Sequence, residues 1–212
     1  MRTAKSRTAA PAAPQAASQA AEARPEPRAD NRRDELLLAA ARLFARHGFE
    51  ATSMRDIAGE VGMLAGSMYY HFPSKEELVA ATHGLGVAQI VAAVEAATAD
   101  VADPWRRLEA GCAAHLEALL GGSDFAAVVL QEFSRVSPDL RRRLIAQRDG
   151  YERVFAALIE ALPLAPGADR RLLRLMLLGA LNWAPTWYRP GGAAPAEIAR
   201  SFATLLRERS SL

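Results

Sequence analysis

Apolar residues return along this chain at helical spacing and at no point in sustained alternation. Leu37, Ala40, Ala41 and Phe44 share one face of a first predicted helix, which starts at Asp30 or Asn31 and runs to Gly48, where a left-handed cap is wanted. A second, barely two turns long, is capped by Ser53 with Asp56 three residues on. Ile57, Ala58 and Val61 form its apolar face and Gly62 ends it. The turn "GMLA" leads into a third short helix, Gly66 to His71, which Pro73 stops. Ser74 and Glu77 repeat the capping pattern and open a long fourth helix to about Asp100. Short helix, glycine-containing turn, short helix is the helix-turn-helix arrangement.

Proline and glycine divide the remainder into about five more predicted helices: Pro104 to Leu120, Asp124 to Val136, Pro138 to Leu162, Ala168 to Tyr188, and Pro195 to Glu208. The expected fold is all-α with about nine helices: a three-helix helix-turn-helix domain over 30–78, then a helical domain over 79–212. Ahead of them, Met1 to Arg28 holds no leucine, valine, isoleucine or aromatic residue and cannot bury enough to offset ordering entropy, so 1–29 is expected to be a disordered arm.

Composition narrows the function. The lone Cys112 allows no intrachain disulfide and no cysteine metal cluster, and it suits a reducing, cytoplasmic compartment. The longest apolar stretch, Leu172 to Pro185, contains Arg174 and is too short for a bilayer of roughly 30 Å, so no membrane role is expected. His47, His71, His83 and His115 are scattered, and no HExxH, Walker loop, GxGxxG or nucleophile elbow occurs; an enzyme, a metal site or a cofactor is not expected. A net charge of +2 and a pI near 9.0 suggest a polyanionic partner. Yet Asp30 to Ala80 carries more acids than bases, so a case for nucleic acid rests on local geometry.

That geometry lies in "GSMYYHFPSKEEL", Gly66 to Leu78. Met68 and Phe72, four apart, dock inward, which leaves the polar tips of Tyr69, Tyr70 and His71 available to phosphates and base edges. Gly66 lets the backbone approach DNA, Lys75 sits at a helix N-terminus that favours a phosphate, and Thr52 and Ser53 offer the same on the other flank. Across Leu36 to Val79, the run "LLLAAARLFARHGFEATSMRDIAGEVGMLAGSMYYHFPSKEELV" closely resembles the DNA-binding domain of the TetR family of bacterial transcriptional regulators. The resemblance implies that Tyr69, Tyr70, His71 and Lys75 contact double-stranded operator DNA, with Thr52, Ser53, Arg55 and Ser67 as helpers. It also implies a homodimer whose C-terminal helices build both a ligand chamber and the dimer interface.

From Glu132 to Leu206, and most clearly in "LLGALNWAPTWYRPGG", the chain is similar to the TetR regulators of fatty-acid or sterol degradation that respond to coenzyme A (CoA) thioesters. For such an effector, Arg135, Arg141, Arg142, Arg143, Arg148 and Arg153 are candidate partners of the phosphates, and Phe133, Asn182, Trp183 and Trp187 of the acyl slot. The arginine run also suits a solvated surface, and the tryptophan pair suits an interface or core. Ala168 to Tyr188 is apolar nearly all round, as a helix shared between core and partner chain would be, and Ile198, Phe202, Leu205 and Leu206 stripe the last helix. The expected function is a ligand-responsive repressor released from a palindromic operator by a small apolar effector. A DNA-independent protein-docking module and an effector-less architectural DNA binder are the alternatives.

Overall fold

The computed structural model describes residues 27–209, with side chains from 31 to 208; the arm expected over 1–29 lies outside the described residues up to 26. Among the described residues every regular element is a helix, and there are ten. The first four are α1 (Pro27–Ala51), α2 (Met54–Glu60), α3 (Ala65–His71) and α4 (Lys75–Thr98). There follow α5 (Pro104–Leu120), α6 (Asp124–Val129), α7 (Pro138–Glu160), α8 (Arg170–Asn182), α9 (Ala184–Trp187) and α10 (Pro195–Arg209).

Six of the starts, those of α2 and α4 to α8, are set by short polar side chains that accept an otherwise unpaired N–H. Ser53 and Asp56 form a reciprocal capping box on α2, and Ser74 accepts from Glu77 at the head of α4. Asp103, Ser123, Ser137 and Asp169 do the same for α5, α6, α7 and α8. Ser53 donates to the Asp56 carboxyl from both hydroxyl and backbone, which holds that carboxyl below the usual carboxylate range. Gly48, at φ 79 and ψ 166, breaks the regular turn of α1 and redirects its last three residues, a backbone that L side chains rarely adopt.

Two apolar cores result. The first joins Leu37 and Phe44 of α1, Ile57 of α2, Met68 of α3 and Leu78 of α4, and it is completed by Phe125 and Val128 of α6 and Leu140 and Leu144 of α7. The reading unit is therefore sealed by residues far outside 30–78. The second gathers Ile90 and Val94 of α4 with Leu108, Phe155, Leu177, Leu181 and Leu206 from α5, α7, α8 and α10. α4 runs through both cores, so it needs apolar residues all round. By length and composition alone it could cross a bilayer, and half of its most apolar stretch is buried inside the protein.

Two helices end earlier than the pattern suggests. The helix expected over Asp124 to Val136 stops at Val129, because Gln131 turns its amide to the Phe44 carbonyl of α1 and the remaining residues to Ser137 form a loop. The helix expected over Ala168 to Tyr188 ends at Asn182 and restarts as the single turn α9. Pro185 cannot donate to the carbonyl four residues back, and its ring crowds that turn. Nor is α8 apolar all round: Arg170, Arg171 and Arg174 interrupt it, while Leu177, Leu178 and Leu181 face the core.

Candidate DNA-reading surface and ligand chamber

α3 holds its reading face out by burying the opposite one. Met68 and Phe72 are sealed in the first core, and Tyr69 and Tyr70 remain 52% and 87% exposed. His71 stands edge-on to the Tyr70 ring with centroids 5.3 Å apart. Gly66, Ser67, Ser53 and Arg55 are exposed or half-exposed in the same unit, and a Cβ at Gly66 would meet open space. The surface offers hydroxyl, imidazole and guanidinium donors around a bare stretch of backbone.

Thr52 and Lys75 are placed differently from what the sequence suggests. Thr52 is 3% exposed, and its hydroxyl donates to the Gly48 carbonyl at 2.9 Å. The Lys75 ammonium donates to the carbonyls of Phe49 (2.8 Å) and Thr52 (3.0 Å) and lies 4.2 Å from the centroid of the Phe49 ring. The reason is local. The bend at Gly48 deprives the last carbonyls of α1 of helical N–H partners, and a cation is the natural donor for them. Lys75 thus ties the start of α4 to the end of α1.

A cavity of about 350 Å³ lies between α4, α5, α7, α8 and the loop after α6. Val87, Ile90, Leu119 and Leu144 give it apolar walls, and the loop contributes Phe133. Among the candidate ligand residues, Phe133, Arg141, Arg148 and Asn182 line this chamber. Arg135, Trp183 and Trp187 do not, and Trp183 is 66% exposed on the outside. Trp183 caps the end of α8 and Trp187 ends the single turn α9, and both indoles are exposed.

The chamber also holds His115, one of the scattered histidines of the sequence. His115, 1% exposed, sits between the Tyr151 hydroxyl at 2.9 Å from Nδ1 and the Asn182 Oδ1 at 3.1 Å from Nε2. Burial pulls the His115 pKa down to about 4, so the ring is neutral near pH 7. With Nε2–H donating to the amide oxygen, Nδ1 accepts the Tyr151 proton, and burial keeps that phenol protonated well above its ordinary range. His83 is held neutral in the same way, its Nδ1 donating to Gln147 Oε1 at 2.6 Å. Burial pushes the Cys112 thiol up to about 12, which leaves it a small core residue.

One loop, 130–137, joins chamber and reading unit. Gln131 donates to the Phe44 carbonyl, and Phe133 packs edge-on against both Phe49 (6.0 Å) and His83 (6.3 Å). At its end, the Ser137 amide and hydroxyl donate to Glu76 of α4. One residue on, Glu77 is gripped by both terminal nitrogens of Arg143 from α7, which holds its carboxyl below the usual range.

A helix-turn-helix unit presenting tyrosines, braced by a helical body that encloses a chamber, is the architecture of a ligand-binding transcriptional regulator. The family model of bacterial regulatory proteins of the tetR family matches residues 36–82, and that of the tetracyclin repressor-like C-terminal domain matches 101–209. The chain belongs to the TetR family. The transcriptional repressor KstR2 of Mycobacterium tuberculosis is 32% identical over 173 residues, covering 79% of this chain and 86% of that one. Among solved structures, the TetR-family regulator PfmR of Thermus thermophilus is 34% identical with a TM-score of 0.70, over 82% of this chain and 94% of that one. AibR in complex with isovaleryl coenzyme A and operator DNA gives 25% and 0.72, over 82% and 97%.

Proposed function

We propose that this chain is a cytoplasmic, non-enzymatic homodimeric repressor, released from a palindromic operator when an acyl-CoA thioester occupies the chamber. The observation that carries it is the loop 130–137, which lines the chamber with Gln131 and Phe133 and at the same time holds the end of α1 and the start of α4. A ligand that displaces this wall acts on the two helices that set the angle of α3. Isovaleryl coenzyme A in the AibR complex, and the description of KstR2 as a ketosteroid regulator, support an acyl thioester of lipid or sterol catabolism.

In this reading Tyr69, Tyr70, His71, Ser67, Arg55, Ser53 and the Gly66 backbone meet phosphates and base edges. Thr52 and Lys75 position them by locking the bend at Gly48. Each protomer reads one half-site, with centres roughly 34 to 36 Å apart, so a small rotation between protomers breaks the match. Arg141 and Arg148 meet the phosphates of the thioester, with Arg135 on the nearby loop; Phe133 and Asn182 face the acyl group. Coupling of about 1 to 3 kcal/mol between the two sites would shift operator affinity about 5- to 150-fold. An architectural binder without an effector would need a filled core where this chain has a cavity.

The test is fluorescence anisotropy of the purified protein on the DNA upstream of its own gene, at fixed salt, against a panel of acyl-CoA thioesters. Release by at least one thioester is expected. Operator binding that no thioester weakens would remove the effector class and leave the repressor.

A further inference from the structure

The deep wall of the chamber is polar where a hydrocarbon tail would want it apolar. Tyr151 and His115 are buried beside Phe155 and line the cavity together with Asn182, to which His115 is hydrogen-bonded. Burying a hydroxyl, an imidazole and an amide together is costly unless each donor and acceptor is used.

Their use can be counted. The neutral His115 ring has one donor and one acceptor. Nε2–H gives its proton to Asn182 Oδ1, and Nδ1 takes the proton of Tyr151, so both ring nitrogens and the phenol proton are committed. The amide nitrogen of Asn182 remains, with two donors and no protein acceptor among the described residues. It is not a sealed orphan atom, and Asn182 lines the chamber, so these donors await an acceptor from the ligand. The chamber wall also carries Ile90 and Leu119, which offer none, and Gln131, Glu132 and His83, none of which takes a hydrogen bond from Asn182 among the described residues. Toward solvent the same chamber is lined by the exposed Arg141 and Arg148.

We propose that the effector's acyl group carries a ketone oxygen remote from its thioester, taken by the Asn182 amide that His115 and Tyr151 hold in place. The inference rests on the acyl-CoA reading above and specifies the class of acyl group within it. A saturated tail would leave the two amide donors without an acceptor, whereas a carbonyl oxygen has two lone pairs and no proton, which matches them. The orienting chain matters too: with the Tyr151 hydroxyl donating to Nδ1, the His115 proton sits on Nε2, and that tautomer sets which end of the Asn182 amide faces the ligand.

Full-length protein would be titrated calorimetrically with hexanoyl- to decanoyl-CoA, each paired with the analogue bearing a ketone on its penultimate carbon. At the length that binds best, the keto thioester is expected to bind about ten-fold tighter than its saturated partner. In Asn182→Leu the two should come within about two-fold of each other. An infrared readout separates recognition from a merely structural role: an isotope-labelled ketone should show its carbonyl band shifted to lower frequency when bound to the wild-type protein, and not when bound to Asn182→Leu. Equal affinity within every pair would overturn this inference and leave the acyl-CoA reading standing. Failure of all the thioesters to bind would overturn both.

Discussion

Tyr70 and Lys75 stand within one quoted motif and use their polar ends oppositely. The Tyr70 hydroxyl is in solvent, so Tyr70→Phe is expected to weaken operator binding about ten-fold, with the melting temperature and the salt dependence unchanged, because the lost donor is uncharged. Lys75→Met should instead cost about 2 kcal/mol of stability by stranding the Phe49 and Thr52 carbonyls, with no change in the slope of log affinity against log salt. A slope smaller by about one would return Lys75 to the phosphate contacts. Spacing alone sorted Met68 and Phe72 from the tyrosines. It could not place Lys75, whose acceptors lie 26 and 23 residues away and are turned toward it only by the bend at Gly48. His115 was equally hidden, since a single histidine among apolar neighbours says nothing of Tyr151 and Asn182. Its pKa near 4, against 6.5 for an ordinary histidine, means the unfolded chain binds the proton more readily between those values. Its contribution to stability is complete above about pH 6.5 and is lost as pH falls toward 4, with about 2 kcal/mol going between pH 7 and pH 5. His83, depressed in the same sense, adds to the slope. Urea unfolding of His115→Phe at the two pH values should show a clearly flatter dependence than the wild type, and an identical one would mean the ring is not the buried neutral group described.

The starts of α2 and α4 could be read from the sequence because each is a local transaction between a short polar side chain and an N–H three residues on. Ends were harder: α6 yields to a hydrogen bond from Gln131 to a helix distant in sequence, and α8 yields to Pro185. The close approach of α4 to α6 was not legible either, since a glycine in a helix announces only that a side chain is missing. A Cβ at Gly86 would lie 2.6 Å from the Phe125 carbonyl oxygen and 2.7 Å from a Val129 methyl, so α6 must move to admit it. Gly86→Ala is expected to cost about 1 to 3 kcal/mol. It should also alter effector release, because α6 carries the loop that walls the chamber. Gly59→Ala on α2, where the new methyl meets open space, serves as the control and should melt slightly higher. A Gly86→Ala protein that melts and responds like the wild type would show that α6 is free to shift, which would weaken the proposed route from chamber to reading helix.

At the scale of the molecule, α8 has two apolar faces with different destinations. Leu177, Leu178 and Leu181 enter the second core, whereas Leu172, Leu175, Met176 and Trp183 stay exposed, as does Leu205 on α10. A row of large apolar side chains on two elements is the pattern of a surface that a second copy covers. The pattern of α8 suggested a helix shared between core and partner; the fold divides that role between opposite sides of one helix. Dimerisation is what lets two short reading helices act as one binder, since each protomer alone meets a single major groove. Linked protomers bind the second half-site at a high effective concentration. Leu175→Glu combined with Met176→Glu places charge on the exposed side only, so the protomer should keep its helical circular dichroism while sedimenting as a monomer. Operator affinity is then expected to fall at least about 100-fold, with weak sequence-independent binding retained because Tyr69, Tyr70 and Arg55 are untouched. If the double variant sediments as a dimer and holds its operator, the two-fold interface lies elsewhere, and the exposed side of α8 needs another explanation. If it is monomeric and yet binds as tightly as the wild type, the half-site geometry that underlies the proposed release by ligand fails with it.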